Sequence, residues 1–222
     1  MTLRELRSRQ FWRAVLAELL GTLVLVSTML GASVPGPGEP PGGPLYPGLA
    51  ICAVIVTLGH CFGEISGAQV NPSVTLSMLA TRKVDLVRAL VYVGAQCLGA
   101  FLATGALYLA LPRKSTAEVF VNRVARFSGA GMNPARALGP AIITGFWENH
   151  WVYWIGPVTG GVLAGVSHEF LFAHSASRQK LVACLTCKDV DMVETASVSR
   201  SSLSTVTQNA GRAKQANKAD GN

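Results

Sequence analysis

The chain has 222 residues, of which 50% are hydrophobic and only 14% charged, with a net charge of +7. A soluble domain carries about 25% charged residues. The shortfall here is local, since long apolar stretches run uninterrupted and the charges gather between them and at both ends, which excludes a water-soluble globular domain and reads as a polytopic all-α membrane protein.

No basic run interleaves with aromatics as a nucleic-acid surface requires, so no nucleic-acid partner is expected. The Lys and Arg residues are expected instead to hold topology and touch anionic lipid of the bilayer. There is no metal-ligand cluster, no nucleophile with a base and no phosphate loop in the sequence, so neither an enzymatic activity nor a metal or cofactor is expected.

In chain order, residues 1–10 form a cytosolic N-terminus, 11–173 a membrane domain and 174–222 a disordered cytosolic tail rich in Ser, Thr, Ala and Lys. The first span covers 11–32, enough to cross a bilayer that needs about 20 residues, and with no small-residue cleavage site it is expected to stay as a helix. It contains Glu18, a carboxylate expensive in lipid, which is expected to face the bundle and accept from the backbone donors of a re-entrant loop. Residues 34–47 are rich in Pro and Gly and read as a loop, and the second span covers 49–63. A short helix follows at 72–80, long enough to reach only about halfway across. A basic turn carries Arg82, Lys83 and Arg88, and the third span, 86–111, holds Gly94, Gly99, Ala100, Ala103 and Gly105, small residues suited to close helix packing. Residues 112–127 are polar and basic. A second short helix covers 134–144, and the last span covers 150–173, with Trp147, Trp151, Tyr153 and Trp154 as interface anchors.

Cys52, Cys61 and Cys97 lie in apolar spans and are expected to be buried thiols, whereas the lone CxxC of Cys184 and Cys187 lacks the second pair of a zinc site and is either palmitoylated or unmodified. Arg200-Ser201-Ser202 in the tail reads as a basophilic kinase site or an unmodified polar segment.

Two boxes organise this layout. Residues 66–76 read SGAQVNPSVTL and residues 128–138 read SGAGMNPARAL, agreeing at six of eleven positions. An imperfect repeat inside an apolar chain indicates two related halves. In each box Asn can cap a helix and the following Pro, Pro72 or Pro134, fits its first turn. A half-helix starting at membrane depth points backbone N–H groups and roughly +0.5 of a charge at the centre, so two such tips oppose protons and other cations. The amides of Asn71 and Asn133 can donate to a neutral molecule, and water, which both donates and accepts, can pass between them in single file. Arg136 adds a full charge and up to five donors. The positive-inside rule puts both termini and the Arg82–Arg88 turn in the cytosol, so the two short helices enter from opposite sides; residues 112–127 then lie outside in spite of their four basic residues.

These motifs, with FWRAVLAE at the start, AQCLGA in the third span and WENHWVYWIGP before the last, resemble an aquaporin of the major intrinsic protein family, nearest the vertebrate water-selective group, over 11–111 and 127–172. The resemblance implies an inverted-repeat bundle, a plasma-membrane location and a tetramer. It implies that Asn71 and Asn133 are the paired pore asparagines and Arg136 the arginine of the aromatic/arginine constriction. Ala130 matches the small residue beside it, where mercury-sensitive members have cysteine. Ala137, where glycerol facilitators carry Asp, and the pair Tyr153–Trp154 favour water over glycerol.

The chain also departs from the pattern. Ser73 replaces the usual Ala, Gln69 stands where a pore His is common, and Ile51 and Val121 fall by ungapped spacing where the Phe and His of the constriction are expected. The family has six full spans and this sequence four, plus the two re-entrant half-helices; the fourth and fifth are missing, and with them the family's partner for Glu18. Two readings follow: a water-channel subunit, or a shortened, non-conducting isoform, retained in the endoplasmic reticulum or acting on full-length tetramers through its first two spans.

Overall fold

A computed structural model describes residues 3–35, 45–111, 120–121, 131–173, 182 and 186. Every regular element among them is helical: α1 (Leu3–Leu6), α2 (Arg9–Gly31), α3 (Leu45–Ser66), α4 (Pro72–Ala80), α5 (Leu86–Ala110), α6 (Pro134–Thr144) and α7 (Val152–Ser167), followed by a π-helical turn at His168–Phe172. Contacts divide the chain into two units, Met1–Ala164 and Gly165–Asn222. Cys184, Cys187, Ala130 and nearly all of the connector and tail lie outside the described residues.

Local chemistry sets most helix ends. Ser8 caps α2 by accepting from the Phe11 N–H at 3.1 Å, and Asp85 caps α5 by accepting from the Arg88 N–H at 3.2 Å. α2 and α5 each end shortly before a proline, Pro35 and Pro112, where helical backbone is disfavoured. The second span starts earlier than the sequence suggests. Leu45–Pro47 is the first turn of α3 and not loop, because a proline in that turn removes only an N–H that has no helical partner. Among the described residues three helices, α2, α3 and α5, are long and apolar enough to cross a membrane. The last span is a sixteen-residue α-helix prolonged by the five-residue π turn.

In the first unit α2 and α5 pack along their lengths, α3 lies on α2, and α6 lies on α5. Backbone closeness here depends on glycine. A Cβ at Gly99 would collide with the Leu19 carbonyl on α2, and one at Gly139 would sit 2.6 Å from the Ala100 carbonyl on α5. Val26, Leu30, Ala100, Ala103, Phe120 and Ala135 close one buried cluster between these helices. Gly94, by contrast, faces open space. Of the three long helices α3 is the least enclosed, burying only Val54 and Leu58. Cys52 and Cys61 are consequently exposed and Cys97 half-buried, all free thiols: an apolar helix is dry in lipid without being covered by protein.

Candidate functional site

The two boxes meet through reciprocal hydrogen bonds. Asn71 caps α4, its Oδ1 accepting from the Ser73 N–H at 2.9 Å, and Asn133 caps α6, its Oδ1 accepting from the N–H groups of Ala135 at 3.0 Å and Arg136 at 3.3 Å. Each cap then crosses to the other box. Asn71 Nδ2 donates to the Met132 carbonyl at 3.1 Å, and Asn133 Nδ2 donates to the Val70 carbonyl at 2.9 Å. In both directions the acceptor is the residue just before the opposing asparagine, as a two-fold relation between the halves requires. A primary amide has two N–H donors, so one on each side chain remains after the crossing. Pro72 and Pro134 are buried in the first turns behind the caps.

The first box rests on Glu18, which is fully buried. Its Oε1 accepts from Ser66 Oγ at 2.6 Å and the Gln69 N–H at 2.9 Å; its Oε2 accepts from the Val70 N–H at 2.6 Å and Gln96 Nε2 at 2.8 Å. The loop under this clamp is strained, with Ala68 at φ 46° and the β-branched Val70 at φ 42°. Such residues cost about 1–3 kcal/mol each and persist only where the surroundings over-determine them. Glu18 supplies that constraint, and the turn of Val70 is what aims its carbonyl at Asn133. The resemblance assigns Glu18 a partner from the absent fourth span; here its four donors all come from the first half, because Gln96 on α5 closes the shell.

Three residues of the quoted motifs, Gln96, Thr75 and Ser73, take hydrogen-bonding roles that the sequence does not assign them. Gln96 Nε2 also donates to Thr75 Oγ1 at 2.9 Å, and Thr75 Oγ1 donates to the Asn71 carbonyl at 3.2 Å, which ties α5 to the cap of α4. Ser73 Oγ stands 3.0 Å from Asn71 Oδ1 and 3.2 Å from the Met132 carbonyl, so the hydroxyl that replaces Ala can bridge the boxes. A polar side chain inside an apolar span was the available signal for Gln96.

Arg136, on the first turn of α6, directs Nη1 to the Phe120 carbonyl at 3.5 Å. Phe120 is itself fully buried, so one residue of the connector reaches the core. Ile51 is half-buried on α3 and belongs to none of the buried clusters, and Val121 is half-buried beside Phe120. Tyr153 is not an interface anchor: it is buried, unlike the exposed Trp147 and Trp151. Among the described residues, the buried side-chain polar atoms without a hydrogen-bond partner are Gln69 Oε1, Gln96 Oε1 and the Tyr153 hydroxyl. No group of three metal-ligating side chains occurs among them either.

The profile of the major intrinsic protein family matches residues 5–126 and 119–168, two pieces that overlap in the connector. Aquaporin-4 of Homo sapiens is 33% identical over 222 aligned positions, covering 74% of this chain and 69% of that protein. The lens fiber major intrinsic protein of Mus musculus is 35% identical, covering 75% of this chain and 84% of its own length. The human alignment uses about 164 residues of this chain (74% of 222), so about 60 of its positions have no counterpart here, consistent with two spans and their connections. The aquaglyceroporin of Plasmodium falciparum superposes with a TM-score of 0.59 at 21% identity, covering 73% of this chain and 97% of that one, which supports the fold alone. The chain belongs to the major intrinsic protein family: it is an aquaporin-type membrane channel protein, with an all-helical fold that lacks part of the family's length.

Proposed function

We propose that the chain is a water-channel subunit in which water passes in single file between the Asn71 and Asn133 amides. The observation that carries this reading is the reciprocal pair of cap bonds, which brings two half-helix N-termini together with a spare donor on each side. Two positive helix ends oppose a hydronium ion, while a water molecule can accept from both amides. Arg136 adds a fixed positive charge. Gln69 Oε1 and the Tyr153 hydroxyl are buried polar atoms that passing water can satisfy. Ala137 and the Tyr153–Trp154 pair support water over glycerol. On this reading Ala130 and Ile51 contribute to the constriction, Glu18, Pro72 and Pro134 hold the boxes in place, residues 11–173 form the membrane domain between cytosolic segments, and the subunit works as a plasma-membrane tetramer.

A second reading is favoured by the exposure of α3 and by the missing positions: a non-conducting isoform that joins full-length tetramers through α2 and α3, or stays in the endoplasmic reticulum. Osmotic swelling of oocytes, with surface protein measured in parallel, separates the two. The channel reading expects permeability above background that is lost in Asn133→Ala. Surface-expressed protein at background permeability overturns it, and permeability that Asn133→Ala abolishes overturns the isoform reading.

A further inference from the structure

We propose that the N-terminal rim of the bundle binds one anionic phospholipid, with its phosphate between Arg9 and Arg13 and an acyl chain laid along α2. Trp12, Leu16, Leu20 and Val24 recur at every fourth position of α2 and all four are exposed. A step of four residues advances about 6 Å and turns about 40°, so these side chains form one gently winding apolar line about 18 Å long. Arg9 and Arg13, both exposed and one turn apart, stand at its upper end on the same side of Trp12. Helical side chains lean toward the N-terminus, which carries both guanidinium groups to the headgroup level above Leu16.

The surroundings leave these two cations to an external anion. Among the described residues neither the Arg9 nor the Arg13 guanidinium makes a hydrogen bond or ion pair. The nearby carboxylate of Asp85 is engaged by Arg88, 4.0 Å away, and the Arg88 guanidinium lies 5.5 Å from the Phe11 ring centroid. Arg7, Arg82 and Lys83 are exposed in the adjoining turns, so among the residues whose side chains are described the rim holds six cations against Glu5 and Asp85. The Trp12 indole N–H is spent on the Leu6 carbonyl at 2.9 Å, which folds α1 back beside α2 and fixes the ring at the interface. A soluble anion would use the arginines and leave the apolar line unfilled, and a zwitterionic lipid would fill the line and leave the charge excess unmatched. An anionic phospholipid uses both. The site assigns a leaflet only through the orientation proposed above, in which this rim is cytosolic; binding itself is independent of that orientation and of conduction.

The test is native mass spectrometry of the full chain in detergent, with equimolar phosphatidylserine and phosphatidylcholine of matched chains. The wild type is expected to retain phosphatidylserine preferentially, by roughly 5-fold per engaged arginine. Arg9→Gln/Arg13→Gln should remove most of that preference, Arg9→Lys/Arg13→Lys should keep it, and inorganic phosphate should not displace the bound lipid. Equal retention of the two lipids by the wild type overturns the proposal. So does an Arg7→Gln/Lys83→Gln control that loses as much preference as the Arg9/Arg13 pair, since that outcome indicates diffuse charge and not a site.

Discussion

Replacing Glu18 by Gln keeps the shape of the clamp and changes only its chemistry. The carboxylate accepts four hydrogen bonds, from Ser66, Gln69, Val70 and Gln96. An amide can accept at one oxygen only and turns N–H groups toward the donors at the other. Two bonds to a charged acceptor are lost, each worth about 1.5–3 kcal/mol, and the donors left behind are buried. The loss falls on a loop that already stores the strain of Ala68 and Val70. Its opening free energy should therefore drop by at least about 3 kcal/mol, roughly 10²-fold in the opening equilibrium. Hydrogen–deuterium exchange of the peptide spanning residues 66–75 reads this directly in purified protein. Faster exchange there is expected, with the middle of α2 and α5 much less affected. If Glu18→Gln leaves that peptide's exchange unchanged, the clamp does not hold the loop, and the account of how Val70 reaches Asn133 fails with it.

Other substitutions test separate parts of the structure. Gly139→Ala places a Cβ 2.6 Å from the Ala100 carbonyl and 2.7 Å from Thr104 Oγ1, so α5 and α6 must separate at a cost of about 1–3 kcal/mol, whereas Gly94→Ala meets nothing. Thermal melts should show a lower Tm for the first only, and equal melting would refute the packing argument. Arg136→Val should raise the ratio of urea to water permeability in proteoliposomes, and an unchanged ratio would argue against Arg136 as a selectivity residue. In the turn ahead of α7, burial holds the His150 pKa below its ordinary value, and its Nε2 accepts from the Trp154 indole N–H at 3.1 Å. A lowered folded pKa means that the contribution to stability is present above the unfolded value of about 6.5 and is lost as pH falls through the folded value. The wild type should thus lose more Tm on acidification than His150→Asn, and parallel pH profiles would exclude this role.

The half-helices were the most legible part of the sequence. Their starts depend on Asn and Pro acting locally, and α4 and α6 occupy 72–80 and 134–144 as expected. Burial was less legible, because hydropathy does not distinguish a lipid-facing thiol such as Cys61 from a protein-facing one, and it does not reveal that Tyr153 turns inward. Longer-range satisfaction was the least legible. Glu18 signalled that donors must exist, but which donors depends on how α5 crosses α2, and that crossing is set by the bare backbone at Gly99. Gln96 lies outside both boxes, and its role emerges only when its distances to Glu18 and Thr75 are known.

The crossed asparagine bonds also set an order of events during synthesis. Asn133 follows Val70 by 63 residues and Met132 follows Asn71 by 61. At about 5–20 residues per second the first box must wait roughly 3–13 s for its mate to leave the ribosome. The carboxylate of Glu18, already translated, and Gln96, which follows within seconds, are the groups available to keep the bent segment from relaxing in that interval. On this view Glu18 is a placeholder during assembly as well as a strut afterwards, and a defect at that position would strike before the second half of the chain exists.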